Sequence, residues 1–210
     1  LLSVATAVIR PGAVSIVEDV MQGKPKDNGY EALNAIMADS FGYMVYQEQQ
    51  IKFLTEFAGM SGSEADTIRR AISKKKRDVM EHEVPIIKEK FIKNMMDRYG
   101  DTREKIEPIA DEFMEIFISS AQYSFNKSHS VAYSYISFET AWLRTYYPLE
   151  YITAGLQIWN NNLEKTNRLI TYAKTRNITI EQPKFRYSRG DYFFDKESNT
   201  IYQGTAPIKD

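Results

Sequence analysis

The chain has 210 residues with 27 lysine or arginine and 28 acidic side chains, a net charge of −1, so overall charge does not mark a nucleic-acid binder and any basic surface must be local. It has no cysteine and only two histidines, His82 and His129, which excludes disulfides and thiolate sites and argues against a multi-histidine metal site. No apolar run reaches the roughly 20 residues of a bilayer span, and the length suits one large domain or two small ones with a real core.

In chain order, the opening LLSVATAVIRPG lacks a basic start and a leading Met, so it is no convincing signal peptide. With its equally abrupt end, the chain reads as a piece cut from a longer protein. Residues 22–30, QGKPKDNGY, have loop composition and are the expected mobile insert. A helix is predicted from Glu31 to about Phe41, with Leu33, Ile36 and Met37 apolar, and another from Tyr46 to Phe57, closed by Gly59. Glu48 near its start is expected to be structural, holding arginine or backbone groups. Ser63 is expected to cap the next helix, over 64–77, with Asp66 completing an imperfect capping box and Ala65, Ile68 and Ile72 buried. A helix over 86–99 has Pro85 in its first turn and Gly100 as its stop, and Thr102 caps a further one with Ile106, Ile109, Phe113, Ile116 and Phe117 inward.

Phe125 is followed by Asn126-Lys127-Ser128-His129 and an aromatic-rich helical run that ends at Tyr147-Pro148. Ser128 is the expected cap, Val131, Ala132, Tyr135, Ile136, Trp142 and Leu143 give the period, and the spacing of Trp142, Tyr146 and Tyr147 favours core packing. Helices at 149–159 and 163–176 follow. After Asn177 the texture changes: Ile178–Ile180 is β-prone, and Tyr192–Phe194 and Thr200–Tyr202 read as a hairpin. The fold class predicted is mainly α, a multi-helix body with a small β hairpin annex at the C-terminus.

Two polar clusters stand out. Arg69, Arg70, Lys74, Lys75, Lys76 and Arg77 fall within nine positions, with Arg70, Lys74 and Arg77 on one helical face. No acid lies between Asp66 and Asp78, so in-helix ion pairs are not expected to absorb this charge; taken alone, such a run is a solvated face. The Asn126–His129 cluster gathers an amide, a cation, a hydroxyl and an imidazole at a helix start, where unpaired N–H groups suit an anion such as phosphate. Taken alone it is an ordinary cap with a half-buried histidine. His129 and Tyr133, four apart, share a face.

Four ordered blocks carry a resemblance. They are Ile9–Gly12 (IRPG), Tyr46–Gln49 (YQEQ), Ala65–Lys76 (ADTIRRAISKKK) and Phe125–His129 with Ala132-Tyr133, Thr140–Arg144 and Tyr147-Pro148. The tail Tyr202–Lys209 adds to them. Together they resemble the C-family replicative DNA polymerases, the alpha subunit of bacterial DNA polymerase III, over almost the whole chain. The resemblance implies a fingers segment: residues 1–12 as a possible end of the palm, 13–177 as a helical fingers domain and 178–210 as its small β-containing extension. It implies binding of the incoming deoxynucleoside triphosphate and of template DNA during replication. Arg69, Arg70, Lys74 and Lys127 would hold the nucleotide phosphates, with Asn126, Ser128, His129, Lys75 and Lys76 as DNA- or phosphate-contacting helpers.

The family's catalytic aspartates include a D-x-D pair, which does not occur here. No catalytic or metal residue is therefore assigned, the isolated segment is expected to be inactive, and Mg2+ is expected in the palm of the intact enzyme. The implied partners are deoxynucleoside triphosphates, primer–template DNA and, through regions outside this chain, the sliding clamp and other replisome subunits, without a membrane and in the cytoplasm. Ser73 stands where the family commonly has glycine, and Gln122-Tyr123-Ser124 where Gly-Tyr-Gly is usual, which allows a phage-encoded or divergent copy. The alternatives are a catalytically silent nucleotide- or nucleic-acid-binding module and a helical interaction or scaffold domain.

Overall fold

Helices carry most of the computed structural model, which describes residues 1–9, 14–184 and 186–205. They are α1 (Leu2–Val8), α2 (Val14–Met21), α3 (Glu31–Ile36), α4 (Gln47–Ala58), α5 (Gly62–Ser73), α6 (Arg77–Tyr99), α7 (Arg103–Tyr123), α8 (Lys127–Tyr146), α9 (Pro148–Ile158) and α10 (Leu163–Thr175). A 3-10 turn spans Ala38–Ser40, and three strands close the chain: β1 (Thr179–Glu181), β2 (Phe193–Asp195) and β3 (Thr200–Tyr202). This is the mainly α fold with a small β annex that the sequence predicts. The chain divides into two compact units, Leu1–Tyr135 and Ile136–Asp210. Among the described residues no helix is long and apolar enough to cross a membrane.

The first unit is built around phenylalanine. Phe53 of α4 lies 4.9 Å from Phe113, 5.5 Å from Phe117 and 5.7 Å from Phe91, ring centroid to ring centroid, so α4, α6 and α7 share one aromatic core. Tilted ring pairs at such distances add to the burial of large apolar side chains. Ala65 and Ile72 of α5 enter the same core. A second cluster, with Val4, Val8, Val20, Val45 and Tyr46 buried, joins α1 and α2, which the sequence reading did not identify, to the segment before α4. Residues 22–30 are tied down: the Lys26 N–H donates to the Phe41 carbonyl at 2.8 Å, and the Asn28 amide donates to the Gly42 carbonyl at 3.0 Å. Gly42 is required there, because its φ is +85° and a Cβ would lie 2.1 Å from the Lys26 carbonyl oxygen.

Several expected boundaries move. The cap of α5 is Ser61, not Ser63: the Glu64 carboxylate accepts from the Ser61 N–H at 2.8 Å, and the Glu64 N–H donates to Ser61 Oγ at 3.3 Å, a full capping box. The helix ends at Ser73, not 77, because Lys75 takes a left-handed conformation with φ 52°. Pro85 lies inside α6, which starts at Arg77. Met80, Val84, Ile87 and Phe91 form one stripe that packs on the core across the proline, and this burial outweighs the ~3 kcal/mol that an interior proline costs.

In the second unit, α9 and α10 pack with the sheet around Leu149, Ile152, Leu156, Ala173, Ile178, Tyr192 and Ile201. The sheet order is β1-β3-β2. The predicted hairpin is β2 against β3, with Phe194 opposite Ile201; β1 adds a parallel strand on the other side of β3, with Ile180 opposite Ile201. The aromatic residues of α8 correct another expectation. Trp142, Tyr146 and Tyr147 are exposed, as are Tyr135, Ile136, Phe138 and Leu143. Helical spacing tells which residues share a face, and it does not tell whether that face is covered. Residues 10–12 of the IRPG block and 206–209 of the tail block lie outside the described residues.

Candidate functional site

The start of α8 is held by the start of α4. Tyr46 and Phe125 form a short parallel bridge: the Phe125 N–H donates to the Val45 carbonyl at 3.0 Å, and the Gln47 N–H donates to the Phe125 carbonyl at 2.9 Å. This brings Glu48, in the first turn of α4, to the N-terminus of α8. Both Glu48 carboxylate oxygens lie 3.0 Å from the Lys127 N–H nitrogen, and Oε1 also accepts from the Asn126 amide at 3.1 Å. Glu48 is therefore structural and holds backbone and amide groups, as the sequence suggests. The carboxylate lies where the unpaired N–H groups of a helix start would otherwise attract an outside anion.

The cap itself is Asn126, not Ser128: Asn126 Oδ1 accepts from the His129 N–H at 2.8 Å. Ser128 is exposed. The His129 ring lies 5.3 Å from Phe125 and 4.4 Å from Tyr133, so His129 and Tyr133 do share a face. Lys127 Nζ reaches the carboxylate of Asp39, in the 3-10 turn, which pushes the lysine pKa above its ordinary value. One turn further, the buried Ser130 hydroxyl donates to the Ser3 carbonyl and fastens α8 to α1.

The arginines of α5 are held differently. Asp66 Oδ1 accepts from Arg69 Nε at 3.1 Å and from Arg69 Nη2 at 2.8 Å, while Oδ2 lies 2.7 Å from Arg70 Nε. The Arg69 guanidinium is the largest influence holding the Asp66 carboxyl below its ordinary value. In-helix pairing thus takes up charge that the sequence reading left free. The i, i+3 and i, i+4 spacing of Asp66 to the two arginines is the signal that would have found it. Arg69 is buried, with 7% of its surface exposed, and Arg70 faces solvent. Lys74, Lys75 and Lys76 leave the helix and form the exposed turn into α6, so the helical face expected of Arg70, Lys74 and Arg77 is broken. These three lysines have no ion-pair partner among the described residues.

Asn126, Lys127, Ser128 and His129 therefore gather at one helix start, and Arg69, Arg70 and the three lysines at one helix end. No hydrogen bond or ion pair joins the two sets among the described residues. Nor does any group of three or more histidine, aspartate and glutamate side chains there have the arrangement to hold a metal ion. Asp39, Glu48 and Asp66 are each engaged by a cation or a backbone N–H, so the residues present do not fit a magnesium site.

Residues 2–98, which include α5 and the lysine turn, match the model of the bacterial DNA polymerase III alpha subunit finger domain. DNA polymerase III alpha subunits align over nearly the whole chain. That of Ureaplasma parvum is 31% identical over 99% of this chain and 21% of its own length. Those of Halalkalibacterium halodurans and Aquifex aeolicus are 34% and 35% identical over 97% of this chain, and 18% and 17% of their own lengths. The chain belongs to the DNA polymerase III alpha subunit family, in its finger region. It spans about a fifth of the length of the curated relatives it matches. Within this alpha-subunit segment, the arginine end of α5, Asp39 and Glu48 lie inside the finger-domain match, and the α8 cluster lies beyond it.

Proposed function

We propose that the chain grips the phosphates of the incoming deoxynucleoside triphosphate and the template DNA in a template-directed DNA polymerase. Arg69, Arg70, Lys74 and Lys127 take the triphosphate, and Asn126, Ser128, His129, Lys75 and Lys76 assist with DNA or phosphate. The observation that carries the reading is the cation-rich end of α5, where Arg70 and Lys74–Lys76 face solvent within a finger-domain match. A triphosphate takes planar two-point donors from arginine and point charges from lysine. Sliding-clamp and other replisome contacts belong to the rest of the polymerase, as do the Mg2+ ions, and the site of action is the cytoplasm. The isolated chain, without the catalytic aspartates, extends no primer.

A second reading, a solvated basic helix in a scaffold domain, draws on Asp66, which already pairs with both arginines. Single-nucleotide incorporation by the full-length polymerase separates the two. Loss of one charge-assisted contact worth ~1.5–3 kcal/mol in the transition state lowers kcat/KM by about 10–200-fold. Arg69→Ala and Arg70→Ala should do so for all four bases alike, because phosphates carry no base identity, and lysine should restore the activity only in part. Near-normal kcat/KM in both alanine variants assigns the helix to solvent.

A further inference from the structure

We infer that Asp39 is a displaceable counter-ion: it holds the Lys127 ammonium while no phosphate is bound and competes with the phosphate for it. The inference rests on the reading of Lys127 as a phosphate contact. The three carboxylates among these cations differ in what they would lose by leaving. Glu48 accepts from the Lys127 N–H and the Asn126 amide, so its departure strips the start of α8 of its partners. Asp66 is shared by two arginines of its own helix. Asp39 has only Lys127 as a side-chain partner among the described residues, and 68% of its side chain is exposed. The Lys127 side chain is 41% exposed, and its backbone is fixed by Glu48. The ammonium can therefore turn from Asp39 to an incoming anion without disturbing the helix. Asp39 can take water in exchange at little cost, because an exposed ion pair is weak.

The test uses the full-length polymerase and the KM and kcat of single-nucleotide incorporation. Asp39→Asn should lower KM for the nucleotide by about 2–5-fold, the range set by an exposed pair, and leave kcat unchanged. Lys127→Ala should raise KM, and in that background Asp39→Asn should have no effect, because the counter-ion has nothing left to hold. If Lys127→Ala raises KM but Asp39→Asn leaves it unchanged or raises it, Asp39 is not a competitor and only this inference falls. An equal gain from Asp39→Asn with and without Lys127 reduces the effect to general charge and also overturns it. If Lys127→Ala leaves KM unchanged, the phosphate reading of Lys127 fails and the inference with it.

Discussion

The end of α5 gathers several cations and the start of α8 holds a single one, Lys127, among polar groups, and the two are neutralised in opposite ways. Asp66 sits three and four residues from its arginines and binds them within one helix, leaving Arg69 nearly buried. Lys127 meets Asp39, 88 positions away, and its helix start is satisfied by Glu48, 79 positions away. The first cluster is fixed by local spacing and the second by the tertiary path that lays Tyr46 beside Phe125. A helix start is thus not an open anion site merely because its sequence collects polar groups: here the chain supplies the anion itself, and the side chains are what remain to meet a ligand.

Removing the long-range anchor of α8 should have the greatest consequence. Glu48→Ala leaves the Lys127 N–H and the Asn126 amide without their acceptor, a cost of about 1–3 kcal/mol in local opening. Hydrogen exchange should show faster exchange across the first turn of α8 while α5 is unchanged. Unchanged exchange at Lys127 would mean that Glu48 does not hold the helix start. Loss of the local pairing in α5 comes next. Asp66→Asn should loosen the last turn of α5 by about 1–2 kcal/mol, read as faster exchange there and not in α8.

The pH dependence has a definite sign. The Asp66 carboxyl is lowered from 3.8 in the folded chain, so its contribution is complete above that value and fades as pH falls through the lowered one. Lys127 is raised from 10.5, so its contribution is complete below that value and is lost as pH rises through the higher one. The Lys127–Asp39 contact is therefore lost on the alkaline side, and the contacts of Asp66 with its arginines on the acid side. NMR titration of the Lys127 ammonium, with and without Asp39→Asn, checks it: the substitution should bring the lysine back toward 10.5.

The smallest effect concerns the turn between α5 and α6. Lys75→Gly should stabilise by about 0.5–1 kcal/mol, because Lys75 has a φ of 52° that glycine adopts without penalty. Ser73→Gly, at a helical position, should cost about as much. Opposite signs in exchange at the end of α5 bear the placement out, and a gain at 73 in place of 75 contradicts it.

The sequence made the helical body legible because its apolar spacing is long and regular: Phe57, Phe91, Phe113 and Phe117 are core residues as their periods suggest, whereas Phe53, at the centre of the same core, was not picked out. Gly59 and Gly100 end their helices with positive φ, as glycine at those positions implies. What was not legible depends on distant partners or on competition between neighbours. Asp39 carries no local sign that it meets Lys127. Pro85 marks a helix start by local rules, yet the stripe from Met80 to Phe91 carries the helix through it. Asn126 and Ser128 both qualify as caps, and the bridge at Phe125 selects Asn126. The exposed aromatics of α8 show the same limit from the other side, since period alone says nothing about what covers a face.

Whether the end of α5 and Lys127 meet the triphosphate is decided by a crystal structure of the full-length polymerase with primer–template and an incoming deoxynucleoside triphosphate. The guanidinium nitrogens of Arg69 and Arg70 should lie within about 2.7–2.9 Å of triphosphate oxygens, the range of charge-assisted bonds, with Lys127 turned from Asp39 to the same ligand. Arg70 in open solvent, Lys127 still on Asp39 and the triphosphate held by other residues would contradict that arrangement.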